Sequence, residues 1–488
     1  MIYCIVGVMS LLRSVARNTA LQASGKAIGT ALGFVVATVL FRYLKDELYG
    51  NYTTAMSYLQ LFGIVMDLGL YVVLLKHISS ADNADGKLQN NIFTFRAVSA
   101  IGLLMIAVGS VWFIPAYPLV VKWAVVVLAV NFFCITMNQL FQAIFQQHLA
   151  MHWVAISEVT SKIVLFVSTL TVVYLTEANV LAIMGTVVLS GAVQTLLLWI
   201  ASRRYAKLKL AFDFAIWKRV LSESWPIAIA IALNLIYFKS DTIILSIFHS
   251  QQTVGIYGVP YKMLEVLITL PAMVVGLLMP ILSQHYQAKD FPAFAQLYQR
   301  SINLLWMLGA PMVLGGMVLA QPFMQLLAGD EFTSDPAVLG ALFRILILAV
   351  GAIYVGTLTG YVVVAVDRQK SIIFAYAFVA VTALAGYLLL IPRYSYFGAA
   401  WVTVYSETMM LLISLVVIYR ATRALPAFGG LLRISLAAVI MAIGVYLVQA
   451  WPLWMSLLIG AMLYVGALLV VKGITPEEIK TILRRQPV

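Results

Sequence analysis

Apolar runs of about 20 to 26 residues follow one another along nearly the whole 488-residue chain, separated by short polar connections. A helix needs such a run to cross ~30 Å of hydrocarbon at about 1.5 Å per residue. The ten-residue alternating segments of a membrane β-barrel are absent. Only 10% of the residues are charged, where a soluble domain carries about a quarter. The hydrophobic share of 63% and a mean hydropathy of +0.98 point the same way. The expected fold class is an all-α integral membrane protein.

The apolar runs place membrane helices near 20–44, 50–75, 91–114, 119–145, 151–175 and 180–202. A second set of six falls near 225–248, 254–284, 301–319, 338–366, 372–391 and 398–419, and two more near 432–449 and 453–471. Fourteen spans are therefore expected. The organisation reads as an N-terminal six-helix lobe (1–202), a linker (203–224), a C-terminal six-helix lobe (225–420), and two further helices with a short tail (421–488). The linker gathers Arg203, Arg204, Lys207, Lys209, Lys218 and Arg219 around Phe212, Phe214, Ile216 and Trp217. That pattern suits a short amphipathic helix in the cytoplasmic interface, with its basic groups on lipid phosphates.

The lobes also repeat each other. Leu48-Tyr49-Gly50-Asn51-Tyr52 is matched by Val254-Gly255-Ile256-Tyr257, with Gly50 and Gly255 205 residues apart. The turns at 147–148 and 367–370 recur at a similar offset, as do the connections 76–90 and 284–299. Because six is even, both lobes enter the membrane in the same sense, which puts a pseudo-twofold axis along the membrane normal.

A net charge of +12 would suggest nucleic acid in a soluble protein, so the position of the basic residues decides the matter. Twenty-one Lys and Arg fall in connections on one side of the membrane; only Arg42, Lys45, Lys122 and Arg393 fall on the other. By the positive-inside rule both termini are expected in the cytoplasm, and the basic excess needs no nucleic acid. Residues 1–12 are apolar but too short to span and lack a preceding basic region, unlike a signal peptide; either Met1 or Met9 can serve as the start. Cys4 and Cys134 receive no role, and no metal-ligand spacing is present.

Eleven charged residues lie inside the expected spans: Lys26, Arg96, Lys162, Lys239, Lys262, Arg344, Asp67, Glu158, Asp241, Glu265 and Glu407. Each costs at least ~2.5 kcal/mol at the centre of a lone helix, so a bundle that carries them is expected to hold an aqueous cavity. Glu158 and Lys162, four apart with the acid first, suit a structural ion pair. Lys262 and Glu265, three apart, suit either a pair or a functional role. Lys239 points to a different face from Asp241 and lies at nearly the same depth as Lys262. Lys26, beside the Gly25, Gly29 and Gly33 row, is their counterpart in the first lobe. Arg344 lies about a third of the way in from the outside, whereas Arg96 is expected to snorkel to the cytoplasmic edge. The five histidines fall near helix ends. No Ser-His-Asp set and no Walker loop is present, so the chain reads as a non-enzyme driven by an ion gradient, the membrane potential or a partner.

Asp241, Val254-Gly255-Ile256-Tyr257 and Tyr261-Lys262 resemble the seventh and eighth helices of O-antigen-type polysaccharide flippases. That family shares a superfamily with the multidrug and toxic-compound extrusion (MATE) transporters and the lipid II flippases. The likeness extends to Asp67-Leu68-Gly69, Gly329-Asp330-Glu331-Phe332, Ile391-Pro392, Gly398-Ala399-Ala400 and Glu407, covering essentially the whole chain. The resemblance implies transport of a polyprenyl-diphosphate-linked oligosaccharide across a bacterial cytoplasmic membrane by alternating access. It implies membrane lipids and polysaccharide assembly proteins as partners. By the same carry-over, Lys26, Lys239, Lys262 and Arg344 are the candidate substrate-binding residues. Asp67, Asp241, Glu265 and Glu407 are candidates for a coupling cation, H+ or Na+, with no other cofactor. Lysines stand where lipid II flippases use several arginines. Two alternatives remain: a cation-coupled multidrug exporter, which calls for a more acidic or aromatic cavity, and a polysaccharide polymerase or ligase, which calls for a long outer catalytic loop.

Overall fold

The computed structural model describes residues 2–67, 87–206, 208–366, 368–423 and 426–473, and among these there is no strand. The helices are α1 (Ile2–Asp67), α2 (Lys87–Ser110), α3 (Leu119–Gln147), α4 (His152–Leu175), α5 (Val180–Ser202), α6 (Phe214–Phe248) and α7 (Gln251–Leu267). They continue as α8 (Thr269–Gln287), α9 (Phe291–Val318), α10 (Ala320–Ala328), α11 (Ala337–Ala365), α12 (Gln369–Thr422), α13 (Phe428–Leu447) and α14 (Leu453–Val470). The chain packs as two compact units, Met1–Gly255 and Ile256–Val488.

Two of the helices are hairpins. In α1 the backbone leaves the helical region at Lys45, at φ 56°, and the rings of Phe41 and Tyr49 then meet at 4.9 Å. Residues eight apart in a straight helix are separated by about 12 Å along its axis, so the chain has turned back. The same happens in α12 at Ser395, where a Cβ on Gly398 would lie 2.6 Å from the Leu390 carbonyl oxygen. Among the described residues eleven helical stretches are long and apolar enough to cross a membrane. Two of them, Ser24–Gly63 and Ser371–Thr422, contain these bends, so each supplies two arms of spanning length, and the span expected at 225–248 falls within α6, which is not one of the eleven. The span expected at 254–284 is broken at Ile268 into α7 and α8, with Pro260 and Pro280 inside them. The connection after α9 carries the short helix α10.

In the first unit α1 packs on α3 and α4, α3 packs on α5, and α6 lies against α1. Small residues set the spacing, as the glycine row suggested. A Cβ at Gly25 would come within 2.8 Å of the Ala155 Cβ, and one at Gly29 within 3.4 Å of Glu158. Gly33, the third of the row, has nothing within 4 Å. Hydroxyl pairs link the other helices: Ser161 with Ser190 at 3.0 Å, and Thr195, which donates to Asn138 at 2.8 Å. Such bonds contribute about 0.6 kcal/mol each in a membrane. Arg96 corrects the sequence reading. It is fully buried and donates to Gln139 of α3, so it faces protein and does not snorkel.

The linker differs from expectation as well. Among its described residues there is no helix separate from α6: an extended strap over 208–213 leads to Asp213, and α6 starts directly at Phe214. At 35 residues α6 is about 52 Å long, so its first turns protrude beyond a ~30 Å core. The start of α2 holds the strap: the backbone amides of Lys209, Ala211 and Asp213 donate to Asn90, Thr94 and Asn91. Asp213 then caps α6, accepting from the amides of Ala215 and Ile216, and pairs with Lys87 at 2.8 Å. The Lys87 hydrogen bond, with help from these amides, holds the Asp213 carboxyl below its usual range. A depressed carboxylate stabilises the docked strap above its ordinary pKa and stops doing so only as the pH falls through the lower folded value. The docking is therefore expected to be constant from pH 5 to 8. Asp213→Ala should speed tryptic cleavage after Arg203, Arg204 and Lys209 several-fold over that whole range; unchanged cleavage would mean that the cap does not hold the strap.

In the second unit α11 is central, packed on by α8, α9, α10 and α12. The last two spans belong to this unit. Trp306 of α9 donates to Ser435, Tyr464 of α14 donates to the Met307 carbonyl, and Gln299 holds the amide of Ala427. Around these bonds Ala310, Ile434, Met441, Val445 and Leu468 form one apolar cluster.

Candidate functional site

Helix α6 carries four consecutive buried polar residues, Lys239, Ser240, Asp241 and Thr242, with 7% and 0% of Lys239 and Asp241 exposed. Consecutive helical positions point about 100° apart, so a run of four can be buried only in a helix surrounded on most sides. The Asp241 carboxylate accepts from the amide and hydroxyl of Thr242 at 2.6 and 3.2 Å, and the Lys239 ammonium stands 5.5 Å from the Phe238 ring. One turn on, Ser246 pairs with Tyr117, from the connection between α2 and α3, at 3.0 Å. Burial pushes the Tyr117 phenol up to about 12, so it remains a neutral hydrogen-bonding group.

Beyond α6 the first unit contains a crossing that the sequence reading did not foresee. A Cβ at Gly50 would land on the carbonyl oxygen of Gln251, and one at Gly255 would land on that of Asp46. Each such position would also lie 3.0 Å from the other glycine's amide nitrogen. Thr54 donates to Gln251 at 2.6 Å and Gln252 to Asp46 at 2.8 Å. Gln251 is to Gly255 what Asp46 is to Gly50, four residues earlier, so each glycine meets the other's partner. This reciprocity is what a twofold relation imposes on a contact. The 205-residue offset was the sequence signal for it.

The remaining candidates are dispersed. Lys26 is exposed on α1, and Asp67 ends α1 with its side chain outside the described residues. In the second unit Lys262 and Glu265 form an ion pair at 2.8 Å, so Glu265 engages the Lys262 ammonium. Arg344, exposed on α11, donates from Nε to the Met317 carbonyl at 3.2 Å, and Glu407 is half-buried in α12. Glu158 and Lys162 both lie over Gly29. An apolar cavity of about 410 Å³ between α9, α11, α13 and α14 has no charged side chain in its lining and so does not suit an anionic head group.

A family model described as "Polysaccharide biosynthesis protein" matches residues 15–286, more than half of the chain. The chain belongs to that family. It is similar to the lipopolysaccharide biosynthesis protein WzxC of Escherichia coli (strain K12), 24% identical over 339 residues. That match covers 67% of this chain and 65% of WzxC, so the chain spans just under two thirds of the curated relative. Among solved structures, the lipid II flippase MurJ in an inward closed conformation matches with a TM-score of 0.77 at 15% identity, over 95% of this chain and 100% of MurJ. An inward-facing MATE transporter of the MOP superfamily matches with a TM-score of 0.67 at 14% identity, over 83% of this chain and 98% of its own. At these identities the likeness is one of fold. The chain is thus a multi-pass membrane protein of the polysaccharide biosynthesis family, with the fold of these solved structures. By name the two solved neighbours are a flippase and a transporter, and neither is an enzyme.

Proposed function

We propose that this chain is a flippase that moves a polyprenyl-diphosphate-linked oligosaccharide from the cytoplasmic to the outer leaflet by alternating access between its two repeats. The family match over residues 15–286 carries this reading. The fold is shared with drug exporters and does not choose between them, but the cations within the spans do favour an anionic cargo. Lys26 and Lys239 place ammonium groups on α1 and α6, a chemistry that suits a diphosphate, and Lys262 is paired with Glu265. The oligosaccharide would cross through a hydrated path, with the polyprenyl tail remaining in lipid. An H+ or Na+ gradient is the proposed energy source, with Asp241 and Glu407 as acidic groups available to it. The proposed location is a bacterial inner membrane with both termini in the cytoplasm, where assembly proteins of the same polysaccharide would be partners.

The test is rescue of a strain that lacks its oligosaccharide flippase. Lys239→Met keeps the length of the side chain and removes the charge; combined with Lys26→Met it is expected to abolish rescue while the membrane content of the protein stays at the wild-type level. Full rescue by the double variant would sink the cationic path.

A further inference from the structure

The two arms of the α12 hairpin leave a groove between them at the end remote from Ser395. Arg368 and Arg420 lie 27 and 25 residues from that bend, so both reach the same level, about 40 Å along the arms. Below them Ser371, Phe374 and Phe378 from one arm face Ile413 and Val417 from the other, enclosing about 540 Å³. The spacings 371, 374, 378 and 413, 417, 420 each follow one helical face, so the groove is lined by two matched stripes. Phe374 is 77% exposed and Phe378 52%, which makes this an outward, lipid-facing surface of the second unit. Both arginines are exposed, and Arg423, over the Tyr419 ring at 5.7 Å, adds a third guanidinium at the same end.

We propose that this groove is a binding site for one anionic phospholipid. Its phosphate sits between Arg368 and Arg420, and an acyl chain lies along Phe374, Phe378, Ile413 and Val417. The charge and the dimensions argue for this occupant. Paired arginines match a phosphodiester through planar, charge-assisted hydrogen bonds. The apolar part runs about 10 Å from Ser371 to the level of Phe378, about a third of a ~30 Å hydrocarbon core, so it seats the upper part of an acyl chain within one leaflet. An uncharged lipid would gain the apolar contacts only. A free phosphate would gain the arginines only.

Native mass spectrometry of the purified full-length chain, titrated with phosphatidylglycerol or phosphatidylcholine, distinguishes these cases. Phosphatidylglycerol is expected to bind saturably with one tight site. In Arg368→Gln/Arg420→Gln that site should weaken roughly 30-fold, since each basic residue contributes about tenfold or less at an anionic surface. Ser371→Trp, which fills the groove and keeps both arginines, should also lose it. Inorganic phosphate in large excess should leave the lipid in place. Unchanged binding in the arginine variant overturns the proposal, as does equal binding of phosphatidylcholine, displacement by phosphate, or full binding by Ser371→Trp. The exposed arginine pair decides the matter alone if the tryptophan variant does not fold.

Discussion

Gly50→Ala is expected to abolish rescue of a flippase-deficient strain, whereas Gly33→Ala in the same helix should leave it intact. At Gly50 the added methyl lands on the backbone carbonyl of Gln251, which has no rotamer by which to retreat, so the two segments must part. Overpacking of this kind costs about 1–3 kcal/mol before the loss of the Thr54–Gln251 and Gln252–Asp46 bonds is counted. At Gly33 nothing lies within 4 Å, and alanine in a helix is favoured over glycine by up to about 1 kcal/mol. The readout is direct. Thr54, 1% exposed, can be replaced by cysteine in a Cys4→Ser/Cys134→Ser background and probed with a maleimide that does not cross the membrane. Labelling should be slow with Gly50 and fast with alanine there. Slow labelling and intact rescue in Gly50→Ala would falsify the assignment of the crossing as a joint that only glycine closes.

Asp241→Ala is expected to lower thermal stability by about 2–4 kcal/mol, a shift of several degrees for a unit of this size. The carboxylate is fully buried and accepts from Thr242, and its loss removes an acceptor from buried polar hydrogens. Asp241→Asn, which keeps an acceptor oxygen, should recover part of the loss. Glu407→Gln, at a half-buried position, should stay within about 1 kcal/mol of wild type. Thermal unfolding in detergent, followed by the change in tryptophan emission, measures all three. Equal melting of Asp241→Ala and wild type would show that α6 does not depend on its buried acid.

The helical membrane class was legible because hydrocarbon thickness fixes helix length, and the Gly50–Gly255 offset was legible because the two turns share a pattern. The spacing of Lys262 and Glu265 allowed either a pair or a functional role, and the packing shows the pair. Direction was not legible. Around Lys239 polar residues (Asn234, Ser240, Asp241, Thr242) fall on several faces among apolar ones, so periodicity gives no vector, and only packing shows that the lysine is enclosed. Arg96 was misread for a related reason: depth along a helix is countable from sequence, but whether a side chain faces lipid, water or Gln139 is not. The strap was misread because its basic and aromatic residues suit an interfacial helix, while the deciding groups, Asn90, Asn91 and Thr94, lie more than a hundred residues away.

The reciprocal crossing also bears on descent. In a homodimer of one six-span ancestor, a single glycine codon would have furnished both sides of the joint, since the symmetry copies it. In a chain that carries both sides in one sequence that economy is absent: Gly50 and Gly255 mutate separately, and damage to either spoils the contact they share. A chain rebuilt with two copies of its first repeat would restore the symmetric joint while losing the lysines and acids that distinguish the second.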